Sequence, residues 1–224
     1  MNNSKNRNRT LVMLSLFTAI SYLSIYIIHF NVQFLTFDIK NVFITIAAML
    51  FGPWAGVVVS LLAAFLELVL YSTTGYYGFV MNFLSSASFA ALAGWFYKRH
   101  KTLQGSYLAL TLATVFSTAV MMVANLLITP LYLNGSISDV AALLPTLLFP
   151  FNFIKCIVNA ALVLVFYKPI SLVMVRAGMI RKEGSQGKYF SKKTVITWIA
   201  AVILMAVSMV IFYAVLGGHI DFGA

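Results

Sequence analysis

The chain has 224 residues, of which 62% are hydrophobic and only 9% are charged. A soluble domain carries about 25% charged residues, so this composition excludes an ordinary soluble fold and indicates a polytopic membrane protein. The net charge of +10 would suit a nucleic-acid partner, but most basic residues flank apolar segments, which argues against one. The single cysteine, Cys156, lies inside an apolar segment and is interpreted as a small buried hydrophobe.

Apolar segments in the chain predict seven membrane helices. The second segment is short, because a membrane span needs about 20 residues. It is followed by FGPWAG, whose proline and glycines predict a tight turn between two helices. A short segment beside such a break often lines a cavity. The predicted segments are roughly 11–30, 39–51, 54–72, 79–97, 106–129, 147–175 and 194–216.

The basic residues predict the orientation of these helices. If the seven segments alternate across the membrane, all of the 15 basic residues except Lys40 and Lys155 fall on one side. The other side holds Asp38, Asp139 and Asp221. Cytoplasmic loops are enriched in lysine and arginine, so we expect a cell-membrane protein with a cytoplasmic N-terminus and an external C-terminus. The positive charge then reports topology and contact with the lipid bilayer, and no nucleic-acid partner is expected.

A polar, glycine-containing stretch divides the chain near its C-terminal end. This stretch, IRKEGSQGKYFSKK, is predicted to be a cytoplasmic linker at 180–193. It follows a six-helix membrane domain at 11–179, which is preceded by a cytoplasmic N-terminal tail at 1–10. An additional transmembrane helix and external tail occupy 194–224, and no internal repeat is visible.

Ionisable and amide side chains inside the apolar segments are the functional candidates. Glu67 and Lys155 each cost about 2.5–3.5 kcal/mol at the centre of a membrane helix. They either pair with each other or reach an interface, or they line a polar cavity open to the outside. Asn152 and Lys155 are three residues apart and share a helix face. The other intramembrane amides are Asn82, Asn125 and Asn159.

A lysine and several amides in one cavity suit a heteroaromatic ring that carries carbonyl groups and ring nitrogens. On the lysine helix, Pro150 frees a backbone carbonyl and permits a kink. Aromatic side chains that could stack on such a ring are Phe37, Tyr76, Tyr77, Phe149 and Phe153. No Walker A, H-E-x-x-H or G-x-S-x-G motif is present, so no enzyme, metal site or internal ATPase is expected. A binding protein without an energy source indicates that another subunit drives it.

Five stretches carry a family resemblance: FLTFDIKNV, FGPWAGVVV, MNFLSSASF, MMVANLLITPLYLNG and FPFNFIKCIVNAALVLVFY. Through them the chain resembles, over most of residues 10–176, the substrate-binding S-components of energy-coupling factor (ECF) vitamin transporters, and in particular the riboflavin-specific branch. The resemblance implies an all-α six-helix bundle that binds one vitamin near its outer face. It also implies a membrane T-component and two cytoplasmic ATPases as partners, with riboflavin as the transported ligand and no cofactor.

The resemblance also implies a set of binding and docking residues. Asn125, Asn152 and Lys155 match residues that address the polar edge of the isoalloxazine ring. Ser15 and Ala19 have the small-x-x-x-small spacing that would dock the T-component. The remaining candidates for the substrate site are Asn82, Asp38, Glu67, Tyr76 and Gly78.

Two departures from the riboflavin pattern keep the substrate open. The chain has DIKN where riboflavin binders tend to have DFSD, and it has Ala63 and Ala64 in place of a Lys-Asn pair. Glu67 follows one turn later, and a carboxylate there would favour a ligand with a donor or a cation. A pyridine or aminopyrimidine vitamin, such as pyridoxine or hydroxymethylpyrimidine, is therefore an alternative. Pantothenate is a further alternative among the small vitamins. A secondary carrier or a membrane enzyme is the alternative from another class, although a carrier usually shows inverted repeats.

Overall fold

A computed structural model describes residues 2–70, 74–180 and 192–215 and shows a membrane helix bundle. This confirms the predicted fold class, with one small β-hairpin added. The helices are α1 (Asn2–Leu23), α2 (Lys40–Phe51), α3 (Pro53–Leu70), α4 (Gly75–Arg99), α5 (Leu103–Leu133), α6 (Ile137–Leu143), α7 (Phe149–Arg176) and α8 (Lys192–Val215), and the strands are β1 (His29–Val32) and β2 (Leu35–Asp38).

Within the described residues, five helical stretches are long and apolar enough to cross a membrane. The helix α2 and the stretch Val195–Ser208 of α8 are apolar but shorter. The first helix ends earlier than predicted, at Leu23, and a short 3₁₀ turn follows it at Ser24–Tyr26. Further along the chain, α6 continues through a π-helical turn, Leu144–Leu148, directly into α7.

The hairpin β1–β2 was not predicted. Its strands pair antiparallel from His29 with Asp38 to Val32 with Leu35. The two-residue turn between them places Gln33 at a φ of 54°, a conformation in which hairpins usually carry glycine or asparagine. The usual sequence signal of a tight hairpin is therefore missing. Apolar residues of the hairpin pack onto the start of α7 in one buried cluster, formed by Phe30, Val32, Phe37, Leu147, Phe151, Ile154 and Val158.

Small residues bring α2, α3 and α4 into close contact. A Cβ atom at Gly94 would lie 2.7 Å from the backbone oxygen of Ala48, and one at Gly56 would lie 2.6 Å from the Cβ of Ala48. Only glycine allows the backbones to approach this closely. The turn between α2 and α3 contains Gly52 at a φ of 111°, followed by Pro53 at the first helical position, where its missing N–H costs nothing.

The two ends of the bundle differ in charge. At one end, Arg9 contacts the carbonyl oxygen of Gly178 at 3.5 Å, and the side chain of Lys98 lies over Gly52. The turns that join α2 to α3 and α4 to α5 lie at this basic end, as does the end of α7. The hairpin meets the starts of α4 and α7 and the end of α5 at the opposite end.

The helix α8 packs against α7, and the hydroxyl group of Tyr107 on α5 donates a hydrogen bond to Thr197 of α8 at 2.7 Å. The predicted linker lies outside the described residues apart from its two ends, and the predicted external tail lies outside them altogether. The predicted N-terminal tail is helical from Asn2 onwards.

Candidate ligand-binding site

A cavity of about 100 Å³ lies beneath the hairpin, between α4, α5 and α7. Each helix contributes residues one turn apart, because side chains at i and i+4 share a face. The hairpin borders the cavity with Phe34 of its turn and with Leu35 and Thr36, the first two residues of β2. The polar residues that line it are Thr36, Thr74, Tyr77, Asn82, Ser85, Asn125, Thr129, Tyr132, Asn152 and Lys155.

The structure brings most of the predicted site residues to this cavity. Those that line it are Asn82, Asn125, Asn152, Lys155 and Gly78. Asp38 and Glu67 lie behind the lining and contact it through hydrogen bonds. Tyr76 does not line the cavity, because its side chain is 80% exposed on another face of α4. The next residue, Tyr77, points to the cavity instead, since one residue rotates a helix face by about 100°.

Lys155 is buried and paired with Asp38. Its Nζ donates hydrogen bonds to the backbone oxygen of Thr36 at 2.8 Å and to Oδ2 of Asp38 at 2.9 Å. The exposed fractions of the two residues are 7% and 1%. The alternative in which Lys155 pairs with Glu67 is therefore wrong. Lys155 pairs with Asp38 and not with Glu67 because the second strand of the hairpin carries Asp38 across the start of α7.

Glu67 is paired instead with Lys40, a residue that was not predicted to belong to the site. Nζ of Lys40 lies 2.5 Å from Oε2 of Glu67 and 3.4 Å from Oδ2 of Asp38. The other carboxylate oxygen of Glu67 accepts a hydrogen bond from Nδ2 of Asn82 at 2.8 Å. The available signal was the position of Lys40 two residues after Asp38, at the start of an apolar helix.

These contacts form one chain of polar groups behind the cavity wall, which we call the charge ladder: Asn82, Glu67, Lys40, Asp38 and Lys155. It contains two ammonium and two carboxylate groups, so its net charge is zero. Removing one partner of a buried ion pair leaves an uncompensated charge and costs about 3–5 kcal/mol. The charge ladder avoids this cost for both lysines. Its first and last members, Asn82 and Lys155, line the cavity.

The other amides are held by backbone groups. Nδ2 of Asn152 donates to the carbonyl of Leu148 at 2.8 Å, and Nδ2 of Asn125 donates to the carbonyl of Met121 at 2.7 Å. Asn159 lies deeper and donates to the backbone oxygens of Lys155 at 2.9 Å and of Asp38 at 3.3 Å. It therefore braces α7 against the hairpin and does not line the cavity.

Aromatic residues frame the cavity. Tyr77 and Tyr132 form an edge-to-face pair with ring centroids 6.4 Å apart. Of the predicted stacking residues, only Tyr77 lines the cavity. Phe37 stacks on Phe30 within the hairpin, and Phe149 stacks on Phe153. Among the described residues, no group of three or more His, Cys, Asp and Glu could hold a metal ion.

An apolar helix bundle with an electrically balanced, polar cavity beneath a hairpin defines a membrane-embedded protein that binds a small molecule. The family described as ECF transporter, substrate-specific component, matches residues 9–167. The chain therefore belongs to the substrate-specific components of ECF transporters.

Two relatives agree with this assignment. The chain is similar to the riboflavin transporter RibU of Staphylococcus aureus (strain TCH60), with 30% identity over 179 residues that cover 76% of this chain and 94% of the relative. It also resembles the S component of a bacterial ECF transporter of known structure, with a TM-score of 0.64 and 28% identity over 75% of this chain and 98% of the other. The family match ends before α8, which is additional to it.

Proposed function

We propose that the protein captures riboflavin as the substrate-binding subunit of an ECF-type vitamin uptake transporter. The observation that carries this proposal is the convergence of Asn125, Asn152 and Lys155 on one cavity. An ammonium group and amides suit the carbonyl groups and ring nitrogens of the isoalloxazine edge. The riboflavin transporter among the relatives supports the same ligand.

The charge ladder favours an uncharged ligand. Glu67 is already neutralised by Lys40 and lies behind the cavity lining, so it offers little to a cationic ligand such as a pyridinium or thiazolium ring. Lys155 is likewise balanced by Asp38, so a carboxylate ligand would add an uncompensated negative charge. Riboflavin carries no charge at neutral pH, whereas pantothenate is an anion.

The cavity is smaller than a typical ligand site of about 300–1,000 Å³. A tricyclic ring with a ribityl chain therefore requires the hairpin and nearby side chains to move when it enters. The hairpin is the element best placed to move, because Phe34 of its turn and the first two residues of β2 border the cavity.

We propose that a T-component docks on α1 and that two cytoplasmic ATPases drive the complex. Ser15 and Ala19 both lie on the exposed face of α1. Small residues on such a face allow another membrane helix to approach closely. The additional helix α8 packs on α7 and contacts α5, which supports a free docking face on α1.

We also propose that the cavity opens to the outside of the cell. It lies at the end of the bundle opposite Arg9 and Lys98, and basic residues mark the cytoplasmic side. This orientation places the N-terminus inside and, with α8 crossing the membrane, the C-terminus outside.

A competition experiment tests the proposed ligand. Purified protein is titrated with riboflavin, and then thiamine, pyridoxine and pantothenate are added in large excess. We expect saturable riboflavin binding that none of the three displaces, because only riboflavin matches both the neutral charge and the polar edge. Displacement by any of them, or no binding of riboflavin, would contradict the proposal.

A further inference from the structure

The geometry points to Glu67 and Lys40 as positioning residues. They orient the side-chain amide of Asn82 so that its oxygen faces the cavity as a hydrogen-bond acceptor. The cavity then selects a ligand that has an N–H or O–H donor at this wall. This inference rests on the proposed riboflavin binding and adds a specificity determinant to it. Neither Glu67 nor Lys40 lines the cavity, so both would act through Asn82.

The orientation of the Asn82 amide follows from its partner. The Oε1 atom of Glu67 lies 2.8 Å from Nδ2 of Asn82. An ionised carboxylate only accepts hydrogen bonds, so the amide nitrogen must face it and the amide oxygen must face away. Asn82 lines the cavity and Glu67 does not. The amide oxygen and the second N–H of the amide nitrogen are therefore left for a ligand, and the oxygen is the acceptor of the two.

Lys40 holds the other oxygen of the Glu67 carboxylate. Its Nζ lies 2.5 Å from Oε2, and an ammonium group only donates hydrogen bonds. With Oε2 bound to Lys40, Oε1 is left to accept the hydrogen bond from Asn82. Both residues are buried, with exposed fractions of 2% for Lys40 and 6% for Glu67.

The cavity therefore offers a ligand both a hydrogen-bond donor, on Lys155, and an acceptor, on Asn82. Two of the three N–H groups of the Lys155 ammonium are used by Thr36 and Asp38, which leaves one for a ligand acceptor. The Asn82 oxygen requires a ligand donor. In riboflavin the available donors are the ring N3–H and the ribityl hydroxyl groups, and each of these is absent from one closely related flavin.

The test compares affinities for riboflavin, for 3-methylriboflavin, which lacks the N3–H, and for lumiflavin, which lacks the ribityl hydroxyls. The variant Lys40→Met/Glu67→Gln removes one charge of each sign, and a glutamine can face Asn82 with either its nitrogen or its oxygen. The variant Asn82→Leu removes the acceptor itself. Asp139→Asn, a carboxylate-to-amide change outside the cavity, is the matched control.

We expect the affinity penalty of one of the two analogues to shrink by about 2- to 12-fold in Asn82→Leu and in the double variant, which is the range for one neutral hydrogen bond. The Asp139→Asn penalties should equal those of the wild type.

Unchanged penalties in Asn82→Leu would overturn the acceptor role, even if the double variant did not fold. A different result would overturn the positioning role of Glu67 and Lys40: the penalties shrink in Asn82→Leu, whereas the double variant folds and keeps the wild-type penalties. Failure of the wild type to bind riboflavin would instead contradict the proposed function.

Discussion

Lys155 shows how one charged residue can be held in the interior of a membrane protein. Its ammonium group is balanced by Asp38 at 2.9 Å and capped by the backbone of Thr36. An ion pair of this kind lowers the cost of burial only while both partners are present. The lysine can therefore serve the ligand without leaving an unpaired charge in the empty protein.

Replacing Lys155 with methionine should weaken riboflavin binding by about 10- to 150-fold, since a hydrogen bond to a charged group contributes roughly 1.5–3 kcal/mol. It should also lower the thermal stability of the empty protein, because Asp38 loses its closer partner. Flavin fluorescence quenching and thermal unfolding measure the two effects separately. Lys98→Met, which removes an exposed lysine at the basic end, is the control and should change neither.

The variant Lys155→Met/Asp38→Asn separates binding from pairing. Removing both charges together should restore much of the stability, because no unpaired charge remains. Affinity should stay low, because no donor replaces the ammonium group. Full recovery of affinity in this variant would show that Lys155 acts only as a counter-ion.

The polar residues that line the cavity were easier to predict from the sequence than their pairing. Asn82, Asn125, Asn152 and Lys155 were predicted because polar side chains are rare in apolar helices, and all four line the cavity. The pairing of Lys155 with Asp38 joins residues 117 positions apart, and no local pattern reports such a contact. Lys40 was missed because it lies at the boundary of a predicted segment.

At the scale of the elements, glycine decides how closely α2 and α4 pack. Replacing Gly94 with alanine should destabilise the protein by about 1–3 kcal/mol, as overpacking does, because the new Cβ would lie 2.7 Å from the Ala48 oxygen. Gly135→Ala is the matched control, since its nearest neighbour would be 3.7 Å away. Thermal unfolding in detergent measures both, and equal stability of the two variants would contradict this packing.

The exposed face of α1 gives a second prediction at this scale. Ala19→Trp should prevent association with the T-component, because a bulky side chain keeps the two helices apart. Riboflavin affinity of the isolated subunit should be unchanged, since Ala19 does not line the cavity. Ile199→Trp on the exposed face of α8 is the control and should still associate. Loss of both association and binding would indicate a misfolded α1 instead.

Helices were easier to predict than the hairpin for a physical reason. Long apolar runs bounded by basic residues leave few alternatives to a membrane helix. The hairpin is short, its turn carries Gln33 where glycine is usual, and its strands are stabilised by contacts with α7 that lie far away in sequence. The first predicted segment, 11–30, therefore extends beyond Leu23, where α1 ends.

For the whole molecule, the separation of the basic end from the cavity end predicts the topology. Single cysteines introduced at Ser138, near the cavity end, and at Lys101, near the basic end, can be tested in a Cys156→Ser background. In intact cells, a membrane-impermeant thiol reagent should label the cysteine at Ser138 and not the one at Lys101. A tag after Ala224 should be accessible from outside and one before Met1 should not. Labelling of the cysteine at position 101 but not of the one at position 138 would show the opposite orientation.

The most direct test of the account is a riboflavin titration of the purified full chain, followed by quenching of flavin fluorescence. We expect saturable binding of one riboflavin per protein, with an affinity that falls in Lys155→Met and is unchanged in Lys98→Met. Absence of saturable binding, or equal affinity in all three proteins, would contradict the claim that this cavity captures riboflavin.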